Sequence, residues 1–287
     1  MLAFTWWGFF PLYFRLLPGA APLEVLANRI VWSLVLVGVL LGWQSRWRWL
    51  VPALRSRRVL ASFVASALLL SVNWLMYIWA VTSGHVVDAS LGYFITPLVN
   101  VGLGFALLGE RPRRAQWIAL AVAALGVVWL AAIAGRVPWI GLVLGISFGG
   151  YGLLRKVATL GALEGLTLET MILAPAALCA MAWWWGASPI SFPAATLASD
   201  AWLVGLGPAT TAPLLLFALA ARRLSMTTLG LVQYTSPTIQ FLLGIWLFQE
   251  PFDRARLIGF ALIWAALALY TFDSWRRHIA PAVVVEP

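Results

Sequence analysis

The residues best suited to chemistry are polar and aromatic groups set inside apolar runs. Asn73, Trp74 and Tyr77 fall in one run, and Tyr93, Thr96 and Asn100 in the next. Gln233, Tyr234, Thr235, Ser236, Thr238 and Gln240 fall in a later one. A spacing of three then four puts Tyr93, Thr96 and Asn100 on one helical face, and Gln233, Ser236 and Gln240 repeat that spacing. Amides and rings on one face can orient a small organic molecule and cover its apolar part. The same groups can instead tie helices together by hydrogen bonds. Arg29 follows Asn28, precedes Ile30-Val31-Trp32, and lies about one turn into an apolar run. It can attract an anionic group, pair with Glu24 or Asp88, or extend to lipid headgroups. Pro97 and Pro237 lie inside runs, where each removes an intrahelical bond and predicts a kink that could shape a site or permit rocking.

Other chemistries find no support. His85 and His278 lie between apolar runs. There is no metal-ligand cluster, no glycine-rich nucleotide loop and no nucleophile motif. An ATP-driven pump is excluded within this chain, an enzyme is not expected, and neither is a metal or cofactor. No Asp or Glu falls at the middle of a run, which leaves the coupling ion open between proton and sodium and weakens the case for proton antiport. Glu24, Asp88 and Glu169 are expected to cap helix starts. Glu110 and Glu250 end their runs, the unfavourable end for an acid, and predict salt bridges to the arginines that follow.

The elements that carry these residues are helices in lipid. Of 287 residues 62% are hydrophobic and only 10% charged, with a mean hydropathy of +0.91. A soluble domain is about 25% charged, so both a soluble and a disordered chain are excluded. Apolar runs fall at 1–17, 24–43, 59–81, 89–109, 115–134, 138–154, 168–186, 201–221, 226–248 and 256–275. Their length and continuity predict helices rather than barrel strands. Ten spans of about 20 residues leave no room for a soluble domain. The first run is short and unflanked, which predicts either a short helix or a start further upstream; no basic leader segment is visible. The sixth carries Gly141, Gly145, Gly149, Gly150 and Gly152, which predicts close helix packing in preference to a broken helix. Cys179 is the single cysteine, so no intrachain disulfide forms.

A net charge of +9 in a soluble protein would suggest nucleic acid. Here the arginines sit between apolar runs, which points to the lipid bilayer and its anionic headgroups instead. With the N-terminus cytoplasmic, 14 of the basic residues fall on the cytoplasmic side and five on the other. That bias predicts an even number of spans with both termini inside. Trp47, Trp49, Trp139, Trp183, Trp184, Trp185 and Trp202 fall near the expected interfaces.

The halves match at an offset of about 140. Pro97 to Glu110 and Pro237 to Glu250 span 13 residues each. Thr96 then meets Ser236, Asn100 meets Gln240, Gly104 meets Gly244 and Arg114-Ala115 meets Arg254-Ala255. Five spans per half require the halves to be inverted, with a substrate cavity between them. The sequence thus predicts an all-α polytopic membrane protein, with ten transmembrane helices as two inverted five-helix repeats. The first repeat covers 1–134, the second 138–275, and a short cytoplasmic tail 276–287.

The stretch Ser90-Leu91-Gly92-Tyr93-Phe94-Ile95-Thr96-Pro97-Leu98-Val99-Asn100 resembles the fourth-helix signature of the RarD proteins. Those belong to the EamA group of the drug/metabolite transporter superfamily. The resemblance continues through Leu108-Gly109-Glu110-Arg111, Gln116-Trp117, Asn28-Arg29-Ile30-Val31-Trp32-Ser33, Asn73-Trp74, Gln233-Tyr234 and Pro237-Thr238. It implies two EamA repeats, a bacterial inner membrane and secondary transport, in a superfamily of mostly exporters. Where relatives often carry Asn before the fourth-helix proline, this chain has Thr96. The expected substrate is a small organic solute held by Trp74, Tyr77, Tyr93 and Tyr234 and oriented by Asn73, Asn100, Gln233 and Gln240. The alternative is a non-transporting membrane protein, such as a receptor or assembly factor.

Overall fold

The computed structural model describes the chain apart from residues 18–19, 45–46, 84–85, 136, 185–195, 248–253 and 280–287. At 86–91, 134, 184, 244, 256 and 274–279 it describes only the backbone. Among the described residues every regular element is a helix: α1 (Leu2–Gly8), α2 (Phe10–Phe14), α3 (Pro22–Trp43), α4 (Leu50–Arg55), α5 (Arg57–Thr82), α6 (Val86–Leu108), α7 (Arg114–Ala134), α8 (Trp139–Val157), α9 (Ala162–Trp184), α10 (Leu197–Arg223), α11 (Met226–Gln233), α12 (Thr235–Trp246) and α13 (Arg254–Ile279). Six of them, α3, α5, α7, α8, α9 and α10, are long and apolar enough to cross a membrane. Shorter apolar stretches, Gly92–Leu108 and Leu257–Asp273, lie within α6 and α13.

Local chemistry sets the helix ends. Ser56, Thr196 and Ser225 accept from the backbone N–H three residues on, at 3.4, 3.2 and 3.1 Å, and so start α5, α10 and α11. Pro22 opens α3, and Glu24 accepts from the Ala21 N–H at 3.4 Å, the cap its position predicted. Gly135, at φ 66°, closes α7 in the left-handed conformation. The side chain of Asp88, a second expected cap, lies outside the described residues, as do Glu250 and most of the 276–287 tail.

Two apolar runs are broken helices. Pro11 lacks an N–H to give the Trp7 carbonyl, and the chain turns at Phe9 between α1 and α2. Pro237 likewise gives nothing to the Gln233 carbonyl, and the chain turns at Tyr234 between α11 and α12. The face expected to hold Gln233, Ser236 and Gln240 is therefore split: Gln233 ends α11, while the other two lie on α12. Pro97 behaves differently, since α6 runs uninterrupted through it. Glu169 is also not a cap. The helix begins at Ala162, earlier than the apolar run suggested, so Glu169 lies inside α9 and is buried.

The helices pack as a bundle with an inverted polarity pattern. Val39 and Leu125 are 61% exposed, whereas Asn28, Arg29, Asn73, Asn100 and Gln233 are buried. Such a surface suits hydrocarbon, and the protein is a multi-pass membrane protein. α7 packs on α13, α6 on α8, α3 on α9 and α10, and α5 on α8 and α9. α11 lies on α6, and α1 lies between α10 and α12. Close approach depends on glycine. A Cβ at Gly141 would stand 3.0 Å from the Gly92 nitrogen, and one at Gly149 would stand 2.6 Å from Val99 Cγ1. α8 is thus continuous and tightly seated on α6, as its glycine content predicted.

A Cβ at Gly126 would lie 2.8 Å from the backbone carbonyl of Gly259 and 2.9 Å from Ile263 Cγ1 across the α7–α13 contact. Gly126→Leu should lower stability by about 1–3 kcal/mol through overpacking. Gly38→Ala, where nothing lies within 4 Å of the new atom, should leave stability unchanged or slightly raised. Thermal unfolding of the two purified variants in detergent checks the contrast.

Candidate functional site

The polar residues of the sequence separate into two groups. Five line one small interior cavity: Arg29 from α3, Trp74 and Tyr77 from α5, Tyr93 from α6 and Gln233 from α11. The cavity also takes Phe4 and Trp7 of α1, Phe10 of α2, Phe148 of α8 and Ser236 of α12. The sequence reading placed Ser236 on a polar face but did not select Phe4, Trp7, Phe10 or Phe148. Phe4, Trp7 and Phe10 recur every three residues, which is the signal that would have found them.

The others expected at the site act beside it. Asn73 donates to the Leu144 carbonyl at 2.9 Å and to Ser147 Oγ at 3.1 Å, tying α5 to α8. Thr96 donates back to the Gly92 carbonyl at 2.8 Å within its own helix. Asn100 donates to Gln233 Oε1 at 2.9 Å and so holds a cavity residue in place. Tyr234 is fully buried, stacks on Phe94 and donates to the Phe94 carbonyl at 3.3 Å. Gln240 donates to the Trp7 carbonyl at 3.2 Å. That carbonyl is the one Pro11 leaves without a helical partner, so the Gln240 amide repairs the break in the first run.

Arg29 dominates the cavity. Its residue is 2% exposed, so it does not extend to the headgroups. Nε donates to Thr210 Oγ1 of α10 at 3.0 Å. The guanidinium lies 4.3 Å from the Trp74 ring centroid and 5.0 Å from that of Phe10. Glu24 stays at its helix start, and among the described residues no carboxylate lies within 4 Å of Arg29. The charge rests on ring faces, a hydroxyl and the nearby phenols of Tyr77 and Tyr93, whose rings are 5.3 Å apart. An unpaired cation at depth in a membrane bundle costs about 2.5–3.5 kcal/mol or more, so it needs a purpose. The cavity volume is about 40 Å³, room for a few waters. Small-molecule sites occupy roughly 300–1,000 Å³, well above this volume.

Glu110 closes one end of the bundle. Its carboxylate accepts from the Met226 N–H at 2.7 Å, and from the Thr227 N–H and hydroxyl at 3.1 Å each. Lys156 Nζ lies 3.8 Å away. Salt bridges to the arginines that follow Glu110 were expected. The acid instead reaches across to the start of α11, where helix N–H groups and the dipole favour a negative charge. The end of α6 is thereby pinned to α11 and to the end of α8.

An all-helical polytopic membrane protein with a small, cation-bearing aromatic cavity is the class that this fold and site define. The model of the EamA-like transporter family matches residues 1–132. An uncharacterised transporter of Pseudomonas aeruginosa is 44% identical over 277 residues, covering 96% of this chain and 93% of that protein. Protein RarD of Streptomyces exfoliatus is 44% identical over 294 residues, and protein RarD of Escherichia coli 38% over 274. These cover 99% and 96% of this chain, and 93% of each relative. A solved crystal structure superposes with a TM-score of 0.67 at 21% identity, over 96% of this chain and 95% of the other, and shares the fold. The chain belongs to the EamA-like transporter family and is a membrane transporter of small solutes.

Glu110→Ala should leave the Met226 and Thr227 N–H groups without their acceptor, with the Ser225 cap intact, and lower stability by about 0.5–2 kcal/mol. Gln240→Leu should cost about 1–3 kcal/mol by leaving the Trp7 carbonyl unsatisfied. Unfolding of both variants in detergent, set against wild type, checks the two values.

Proposed function

We propose that this protein is a RarD-type secondary transporter that exports a small organic solute across a bacterial inner membrane by alternating access. Its ten runs cross the bilayer as two inverted five-helix repeats, 1–134 and 138–275, with both termini and the 276–287 tail in the cytoplasm. The pattern of helix neighbours supports the repeat. Numbering the runs one to ten and exchanging each with the run five places away turns α6 on α8 into α12 on α1. The same exchange turns α5 on α8 into α10 on α1, and α5 on α9 into α10 on α3. The pairs α7 with α13, α3 with α9, and α6 with α11 map onto themselves. A two-fold axis in the membrane plane has these properties. The 14-to-five division of basic residues supports the orientation.

The observation that carries the site is the buried Arg29 guanidinium with rings on two sides and, among the described residues, no acid within 4 Å. We infer that a solute with an anionic group completes this charge, while Trp74, Tyr77 and Tyr93 cover its apolar part. Gln233, held by Asn100, supplies a directional hydrogen bond. Binding requires the small cavity to widen, and motion of one half against the other would widen it. In this reading Asn73, Thr96, Tyr234 and Gln240 keep the framework, and the breaks beside Pro11 and Pro237 are the flexible points. Pro97 supports the seat of Gly230, whose Cβ would stand 2.8 Å from the Pro97 carbonyl.

Cells lacking the protein, cells expressing it, and cells expressing Arg29→Ala at equal membrane abundance can be compared by metabolomics of cells and medium. A solute whose outside-to-inside ratio rises only with intact Arg29 is the expected result. Removal of one charge-assisted contact should weaken binding by about 10-fold or more. Unchanged export by a well-inserted Arg29→Ala protein would sink this reading.

A further inference from the structure

A second buried charged cluster lies apart from the Arg29 cavity. Arg155 near the end of α8 and Glu169 inside α9 are each 1% exposed, and Arg155 Nη1 stands 3.6 Å from Glu169 Oε1. Glu169 also accepts a short hydrogen bond from the Ser66 hydroxyl of α5. Arg155 Nη2 donates to the Ala162 carbonyl at 3.0 Å, and its guanidinium lies 5.7 Å from the Phe63 ring centroid. Tyr151 is one turn back along α8 and fully buried.

The pair is poorly satisfied for its depth. Glu169 Oε2, Arg155 Nε and Nη1, and the Tyr151 hydroxyl all lack a hydrogen-bond partner. A buried ion pair offsets its desolvation only when geometry is good and the remaining donors and acceptors are used. Here they are not, so the ionised state has little margin. Each member also keeps a contact that survives loss of the pair: Ser66 for Glu169, and the Ala162 carbonyl and Phe63 ring for Arg155. The cluster therefore has two accessible states, one with an ion pair and one with a neutral acid. Glu110, by contrast, has both carboxylate oxygens taken up, by the Met226 and Thr227 N–H groups and the Thr227 hydroxyl.

We propose that Glu169 is the proton-binding group that couples this transporter to a proton gradient, with Arg155 and Ser66 positioning it. One proton from water at the α8–α9 end converts the carboxylate to the neutral acid and dissolves the pair with Arg155. The reverse step returns that proton. The groups facing Glu169 are Ser66 on α5 and Arg155 and Tyr151 on α8. α3 and α10 also pack on α9, and among the described residues neither brings a charged group within 4 Å of it. The cluster joins α5 to α8 and α9, that is, the first repeat to the second. It also communicates with the solute cavity. Tyr151 stacks on Phe217 at 5.7 Å, and both rings pack on Phe148, a cavity wall. Breaking the pair frees α8 from α9 within the second repeat, next to the Tyr151–Phe148 contact on the cavity wall, while the Ser66 bond still ties α9 to the first repeat. This assignment rests on the transport reading, but its test does not need the solute.

Wild type and Glu169→Gln, each reconstituted in lipid, are titrated from about pH 5 to about pH 9 while infrared absorption follows the protonated carboxyl stretch. The expected result is a wild-type band that disappears as pH rises and is lost from Glu169→Gln. Arg155→Gln should shift its disappearance to higher pH, because the cation that favours the ionised acid is gone. If Glu169→Gln does not fold, an apolar carbodiimide, which attacks protonated carboxyl groups, is applied to wild type and mapped by mass spectrometry. Labelling of Glu169 at acid but not alkaline pH supports the proposal. Superposed carboxyl spectra for wild type and Glu169→Gln overturn it, and so does a Glu169 unlabelled at every pH. A carboxyl titration with no solute responding to Arg29→Ala would leave the proton site standing and remove the solute site.

Discussion

The bilayer supplies no water to a bare carbonyl or a lone charge, and the rest of this structure depends on that constraint. Each proline that interrupts a helix frees a carbonyl one turn back. In a soluble protein water would take the bond. Here Gln240 crosses from α12 to the Trp7 carbonyl that Pro11 releases. The same necessity explains why the polar side chains face inward while valine and leucine cover the outside. The interior is thus a network of specific polar ties, and apolar packing is only part of what holds it.

Within that network the three most informative charges are treated in different ways. Glu110 sits on the N–H groups of α11 and beside Lys156, where its negative charge is well met. Glu169 has a cation and a hydroxyl but also unused atoms. Arg29 has no acid within 4 Å among the described residues and rests on aromatic faces and a hydroxyl. In the proposed reading, the fully met Glu110 belongs to the framework and the less fully met Glu169 and Arg29 to function. A charge fully met stays as it is, whereas one left incomplete responds to a proton or a ligand.

The cavity is small because its neighbours are tied shut. The Asn100–Gln233 bond joins α6 to α11, Asn73 joins α5 to α8, and Tyr13 donates to the Trp202 carbonyl at 2.6 Å to join α2 to α10. Glycines let α6 approach α8 and α11 too closely for water to enter. The helix breaks at Phe9 and Tyr234 both lie on helices that border the cavity.

Much of this was legible in the sequence. Hydropathy and charge place the helices, because burial in lipid demands about 20 apolar residues whatever the tertiary arrangement. Glycine spacing in α8 announced a tight contact, since a missing side chain has one main use in a membrane helix. Arg29, Trp74, Tyr77, Tyr93 and Gln233 were found from residue type and spacing alone. What tertiary structure decided was which polar group meets which. Gln240 and Tyr234 look like cavity residues in the chain, yet their partners are carbonyls more than a hundred residues away. Glu169 looked like a cap because hydropathy blurs a helix start, and its partners Arg155 and Ser66 lie on other helices. Hydropathy is a property of each residue and survives without a fold. A hydrogen bond or ion pair is a property of two residues, and only the packing of helices brings the second one into reach.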